Sequence, residues 1–241
     1  MRFLFALSLL LSGCFLASAQ LALCGESVDF GIIREADGMK TATAYVKNVS
    51  EAPVFLLKVK PTCGCTAADF PRESILPGDS ACITLTYNPL RRPGRFDKEV
   101  KVFPSDGEMI RIPIHGTVIA SESTLNQLYP DKAGPLRLSE STLMPVRALT
   151  TEPRKMVAGF YNTASEPLAV QVSCDSPAVE VEFYPDVVGA GEKGVIEVTV
   201  NPLKEEAKGK KEYNLQLRSA PEGSDIGQAL PTELKVLVEI L

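Results

Sequence analysis

From Val28 onward, apolar and polar positions alternate in short runs broken by Gly, Pro, Asn and Asp, the pattern of strands that bury one face. VDFGII predicts a strand with Val28, Phe30 and Ile32 on one side, and TATAYVKNV follows the turn signal Asp37-Gly38. APVFLLKVK places Phe55, Leu57 and Val59 on one face and Lys58 and Lys60 on the other, a register that carries Cys63 toward the interior. After Pro77-Gly78-Asp79, ACITLTY predicts Ile83, Leu85 and Tyr87 inside, with Cys82, Thr84 and Thr86 on the more polar face. FDKEVKVF and MIRIPIHGTV close the unit, the latter with Ile110, Ile112 and Ile114 inward and Arg111, Pro113 and His115 outward. Pro113 predicts an edge strand, because proline donates nothing to a ladder.

The rhythm then repeats. FYNTASEPLAVQVSC echoes VKNVSEAPVFLLKVKPTC, aligning Asn162 with Asn48, Pro167 with Pro53 and Cys174 with Cys63; TVNPL echoes TYNPL, and Ala190-Gly191-Glu192 echoes Pro77-Gly78-Asp79. The offset stays near about 113 residues, so one architecture is used twice. Alternating strands bury one face each and two sheets must meet to hide it. The expected fold is therefore all-β, two tandem immunoglobulin-like β-sandwich domains at 26–119 and 136–241. Residues 120–135, ASESTLNQLYPDKAGP, lack alternation and predict a linker.

Ahead of the first strand, Met1-Arg2, the apolar run from Phe3 to Leu11 and Ala17-Ser18-Ala19 form the pattern of an export signal over 1–19, with a mature start at Gln20. Leu11-Ser12-Gly13-Cys14 resembles a lipobox, which makes lipidation at Cys14 the alternative. Both routes predict a periplasmic, secreted or cell-surface protein in an oxidising compartment. With 45% hydrophobic residues the chain can bury a core, and no later apolar run approaches the ~18 residues of a membrane span. A formal charge of -5 argues against a nucleic-acid partner. The basic cluster Lys208 to Lys211 is interrupted by neighbouring glutamates and predicts a solvated loop.

Either processing route leaves five thiols, at Cys24, Cys63, Cys65, Cys82 and Cys174, an odd number. Cys63-Gly64-Cys65 admits three readings. The thiolates can bite a soft metal, with Cys82 or His115 adding a ligand, but the strand register points those two away. They can close a small, easily reduced disulfide suited to a redox role, although no basic surroundings are evident. Or Gly64 can supply an unusual backbone conformation in a structural turn. The third is the working expectation. No nucleophile motif accompanies His115, and no phosphate loop, zinc-protease or dinucleotide fingerprint is present. An enzyme and a bound cofactor are not expected.

FGII, the strand ending at Asn48, APVFLLKVKPTCGCT, Pro77-Gly78, TYNPL, the Gly94 turn and IPIHGTV together resemble an uncharacterised family of bacterial envelope proteins, a domain of unknown function marked by Cys-Gly-Cys-Thr. That family resembles the wider immunoglobulin-like group of the major sperm protein, PapD-type pilus chaperones and the ASH and hydin domains. The resemblance covers Val28 to Val118 and weakens over 135–241; it departs at Val49-Ser50, where the turn after Asn48 lacks the usual glycine. It implies a fold and an exported location, and no activity. The functional expectation is a non-catalytic structural or protein-interaction module of the envelope, with MIRIPIHGTV as an edge open to strand addition. The alternative is a redox or metal protein centred on Cys63 and Cys65. A glycan binder is disfavoured by the lack of tryptophan.

Overall fold

A computed structural model of the chain describes residues 21–241, so the expected export signal and Cys14 lie outside the described residues. The first sandwich comprises β1 (Leu21–Leu23), β2 (Val28–Arg34), β3 (Lys40–Asn48), β4 (Leu56–Pro61), β5 (Thr66–Asp69), β6 (Ser80–Tyr87), β7 (Gly94–Pro104) and β8 (Ile110–Ile119). A short helix, α1 (Glu122–Leu128), follows. The second sandwich comprises β9 (Asp131–Ala133), β10 (Leu136–Leu138), β11 (Thr142–Leu143), β12 (Arg154–Asn162), β13 (Leu168–Ser173), β14 (Val179–Tyr184), β15 (Val187–Val188), β16 (Lys193–Val200), β17 (Gly209–Pro221) and β18 (Thr232–Ile240). The sheets run β1-β3-β6-β5 and β2-β8-β7-β4 in the first, and β9-β10-β12-β16-β14 and β11-β18-β17-β13-β15 in the second. Apart from the added edges β9 and β15, the strand orders are the same, so the chain is all-β and built as two β-sandwiches.

Each pair of sheets encloses its own core. Val46, Ile83, Leu85, Val100, Val102 and Ile112 are fully buried in the first, and Phe160, Ile196, Val198, Leu215 and Val236 in the second. At about 1.5–3 kcal/mol per buried large apolar side chain, these sets outweigh any single cross-link as the source of stability.

Four expectations are corrected by the strand pairing. Asp29 Oδ1 accepts the Gly31 amide (2.7 Å) in a bulge that shifts β2, so Ile33 is buried and Ile32 is 70% exposed. A second shift, between Leu56 and Lys58, turns Val54 and Leu56 inward and leaves Phe55 and Leu57 exposed. Strand β8 is flanked by β2 and β7 and is not an edge; Pro113 is tolerated because β2 starts pairing only at Ile114, leaving no ladder bond for the missing N–H on that side. Finally, the sandwiches reach beyond the expected boundaries: Leu21 is buried upstream of residue 26, and 120–135 holds α1 and β9 with Ala133 in the second core. Both elements are too short to show periodicity.

The internal repeat is visible as repeated hydrogen bonds. Asn48, fully buried, donates its Nδ2 to Ala52 O (2.7 Å) and Ile75 O (2.9 Å) and accepts from the Ser50 amide. Asn162, equally buried, donates to Glu166 O (2.8 Å) and Val188 O (3.0 Å) and accepts from the Ala164 amide. Gly78 and Gly191 both take positive φ (84° and 71°) and donate to the carbonyls of Asn48 and Asn162. The repeat also realigns the cysteines. Asn88 donates its amide to Cys65 O and Asn201 to Ala178 O, each at 2.8 Å. The counterpart of Cys65 is therefore Ala178, that of Cys63 is Ser176, and Cys174 falls two residues upstream of Ser176.

The sandwiches are tied together at one buried acid. Glu35 accepts from the Arg91 amide (2.8 Å), the Ser121 amide (2.8 Å) and the Thr124 hydroxyl (2.7 Å). Burial opposes its ionisation, but these donors outweigh it and hold the carboxyl below its ordinary value of 4.5. From the other side, the Tyr161 hydroxyl accepts the Ala120 amide (3.0 Å), and Arg137 of β10 donates to Glu122 of α1 (2.9 Å).

Candidate functional site

The turn between β4 and β5 is pinned at both ends. Thr62 donates its hydroxyl to Glu99 O (2.9 Å) at the start, and the Cys65 carbonyl accepts from Asn88 at the finish. Between them Cys63 and Cys65 are joined by a disulfide across Gly64, with the Cα atoms 5.3 Å apart. In the chain-entropy description so small a loop restrains the unfolded chain by only about 1.5 kcal/mol. Gly64 is not needed for steric reasons: its φ lies outside the left-handed region and a Cβ would meet nothing within 4 Å. This corrects the expectation that it supplies a conformation other residues resist.

The bridge is asymmetric. Gly64 is exposed and Cys63 half-buried, while Cys65 is buried at 6% exposure. Thr66, itself buried, places its hydroxyl 3.7 Å from Cys63 Sγ and 3.8 Å from Cys65 Sγ. All four residues of Cys-Gly-Cys-Thr thus belong to one cluster.

The cluster forms a wall of a groove of about 470 Å³ that also receives Arg91, Arg92, Arg95 and Lys98 from the first sandwich and Lys193 from the second. Its floor is aromatic: Tyr87 and Phe96 stack with centroids 4.1 Å apart and planes 7° from parallel, and Tyr129 lines the far side. Two features set the cations. Arg91 has φ 55°, a conformation that side-chain-bearing residues resist, held by the bond from its amide to Glu35. Lys193 lays its stem within 3.2–3.4 Å of where a Cβ on Gly94 would stand, so glycine there lets the second sandwich reach across. The single acid in the groove, Asp97, pairs with Arg95 (3.2 Å). Among the described residues, Arg91, Arg92, Lys98 and Lys193 form no ion pair.

The remaining candidates lie elsewhere. Cys24 is exposed and its amide donates to Tyr45 O; Cys82 stands opposite Tyr45 on β6, and Cys174 packs against the second core. Thr66 pairs with Tyr87, so Cys82, five residues back along β6, sits about 16 Å from the bridge. His115 faces Asp29 (3.6 Å) in a separate depression. The structure therefore does not bring Cys82 or His115 to Cys63 and Cys65, and among the described residues no three His, Cys, Asp or Glu side chains form a metal-sized group.

Sequence reasoning missed the groove. The signal is present in RRPGRFDK (91–98), four cations to one acid, a local excess that the negative total charge conceals. The contribution of Lys193 could not be read, since it depends on how the sandwiches meet.

With this geometry in hand, comparison with known proteins finds that residues 21–118 match a family described as "Protein of unknown function (DUF1573)". Solved structures similar to the chain include a protein of unknown function from Porphyromonas gingivalis W83 (16% identity, 92% of this chain and all of that one, TM-score 0.38). Others are the ASH/PapD-like domain 7 of human CEP192 (7% identity, 45% and 87% covered, TM-score 0.37) and the YadV chaperone (15% identity, 90% and 99% covered, TM-score 0.31). No curated protein matches the chain. None of these descriptions names the Cys-Gly-Cys-Thr envelope family suggested by the sequence.

Proposed function

We propose that the chain is an exported, non-catalytic protein-interaction module of the bacterial envelope, and that it holds an acidic segment of its protein partner in the groove between the two sandwiches. The supporting observation is the charge of that groove: five cations against one carboxylate, on a chain whose formal charge is -5. Concave walls concentrate such a field, and an acidic partner is drawn to it over the negative remainder of the surface. The envelope setting is supported by the signal pattern over 1–19 and by a disulfide, which persists in oxidising compartments. Strand addition along β8 is not part of this reading, because β7 occupies one side from Ile110 to Val118 and β2 the other from Ile114 onward.

Binding of a fluorescent oligoglutamate peptide to the wild type and to an Arg95→Glu/Lys98→Glu variant tests the groove. Both side chains are exposed, so folding is spared. Exposed charge contacts contribute about 0.2–1 kcal/mol each, and reversal adds repulsion, so roughly tenfold weaker binding is expected, with loss in high salt. Equal affinity of the two proteins would refute the site. N-terminal sequencing of protein from the native envelope tests export: Gln20 or a lipidated Cys14 supports it, and retained Met1 contradicts it.

A further inference from the structure

We infer that the Cys63–Cys65 bridge is a thiol–disulfide exchange site that accepts the thiolate of an acidic, cysteine-bearing partner. The inference rests on the groove for where that partner docks; the exchange chemistry rests on the bridge itself. Three observations converge. The bridge is surplus to the fold, since Ser176-Pro177-Ala178 forms the equivalent turn in the second sandwich and Ala178 O accepts the same backbone bond as Cys65 O. Its two cysteines differ in access, Cys63 being half-buried next to exposed Gly64 and Cys65 buried. And its surroundings favour anionic sulfur: the unpaired cations of the groove on one side, the Thr66 hydroxyl at 3.7 and 3.8 Å on the other.

These features set the direction of attack. The partner's thiolate approaches Cys63 Sγ along the sulfur–sulfur axis and forms a new bond to it; the Cys63–Cys65 bond breaks, and its electron pair leaves on Cys65 Sγ as a thiolate within reach of the Thr66 hydroxyl. If the partner carries a second thiol, its thiolate attacks the partner's own sulfur in the mixed disulfide, closing a disulfide in the partner and releasing the Cys63 thiolate. Two electrons pass from the partner's dithiol to the bridge, and the two protons lost by the partner's thiols are balanced by those taken up at Cys63 and Cys65. The exchange is stoichiometric, one per chain.

The test uses the full oxidised protein and two probe peptides, each with one cysteine, one rich in glutamate and one rich in lysine. Bridge opening is followed by alkylation and intact mass. The glutamate peptide is expected to open the bridge roughly tenfold faster or more, as steering into a charged cleft allows, and Arg95→Glu/Lys98→Glu should abolish the preference. With the peptide cysteine activated as a mixed disulfide, Cys65→Ser should capture it at Cys63, while Cys63→Ser captures far less at buried Cys65; far-UV circular dichroism and melting confirm that both variants are folded. A bridge inert to both peptides, in a protein that still binds oligoglutamate, overturns the exchange site and leaves the groove standing. Equal rates with both peptides overturn the acidic partner and the groove reading together. Capture favouring Cys65 overturns the direction of attack.

Discussion

In the first sandwich the Cys65 carbonyl receives the Asn88 amide, and in the second the Ala178 carbonyl receives the Asn201 amide, both at 2.8 Å. Asn88 and Asn201 each accept a bond from the residue two ahead at 3.0 Å, in the shared Asn-Pro-Leu. Around this common frame the chemistry diverges. One copy carries Cys-Gly-Cys and, after Asn-Pro-Leu, Arg91-Arg92; the other carries Ser-Pro-Ala and Lys204-Glu205-Glu206, with Glu205 paired to Lys211 (3.1 Å). A cysteine pair in the turn and an all-basic pair after Asn-Pro-Leu are present together in one copy and lacking together in the other. The second copy keeps the same backbone bond without either.

The comparison can be broken most severely where the copies are the same. Asn48→Ala and Asn162→Ala each remove a fully buried amide that bonds three or more backbone groups, and at about 1 kcal/mol per bond each should lose about 3 kcal/mol in urea unfolding. Very unequal losses would show that the two networks are not the same device. The junction comes next. Glu35→Ala removes one acceptor for three donors and should cost about 2 kcal/mol at neutral pH. Because the folded carboxyl is held below 4.5, its contribution is complete above 4.5 and is lost as pH falls through the lowered value. The wild type and variant should therefore converge in acid, as followed by calorimetry; a gap that persists well below the lowered value would contradict this.

Smaller effects address the bridge. Cys63→Ser/Cys65→Ser should lose only about 1.5 kcal/mol, the entropic value of a short loop. A loss of about 4 kcal/mol or more would make the bridge a structural staple. Gly64→Ala should change stability by less than about 0.5 kcal/mol, since its Cβ would stand in open space; a larger loss in a melting experiment would show a steric demand that the geometry lacks.

Fold class and repetition were legible because alternation survives in β3, β6, β16 and β18 without interruption, each extreme face marked by Val, Ile or Leu. Facing failed where an added residue inverts the pattern, as at Gly31 in β2 and Leu57 in β4, since a bulge shifts side chains between faces without altering composition. Pro113 misled because edge character is a property of half a strand: β8 is open before Ile114 and paired after it. The cysteine pair was visible as a motif, yet its setting was not, because Glu35, Arg91 and Lys193 are distant in sequence and meet only when the sandwiches dock. Cys174 was aligned to Cys63 by letter identity, while backbone bonding aligns Ser176.

The central claim, that the charged groove and not the turn alone makes the native bridge reactive, is tested within one molecule. Installing Ser176→Cys, Pro177→Gly and Ala178→Cys gives the second sandwich its own bridge on the same backbone frame. Digestion and mass spectrometry after exposure to the glutamate-rich cysteine peptide then report opening at each site. The Cys63–Cys65 bridge is predicted to open roughly tenfold faster or more than its transplanted twin, whose Asn-Pro-Leu is followed by Lys204-Glu205-Glu206 in place of Arg91-Arg92. Equal rates would show that any bridge on this turn behaves alike and would contradict it.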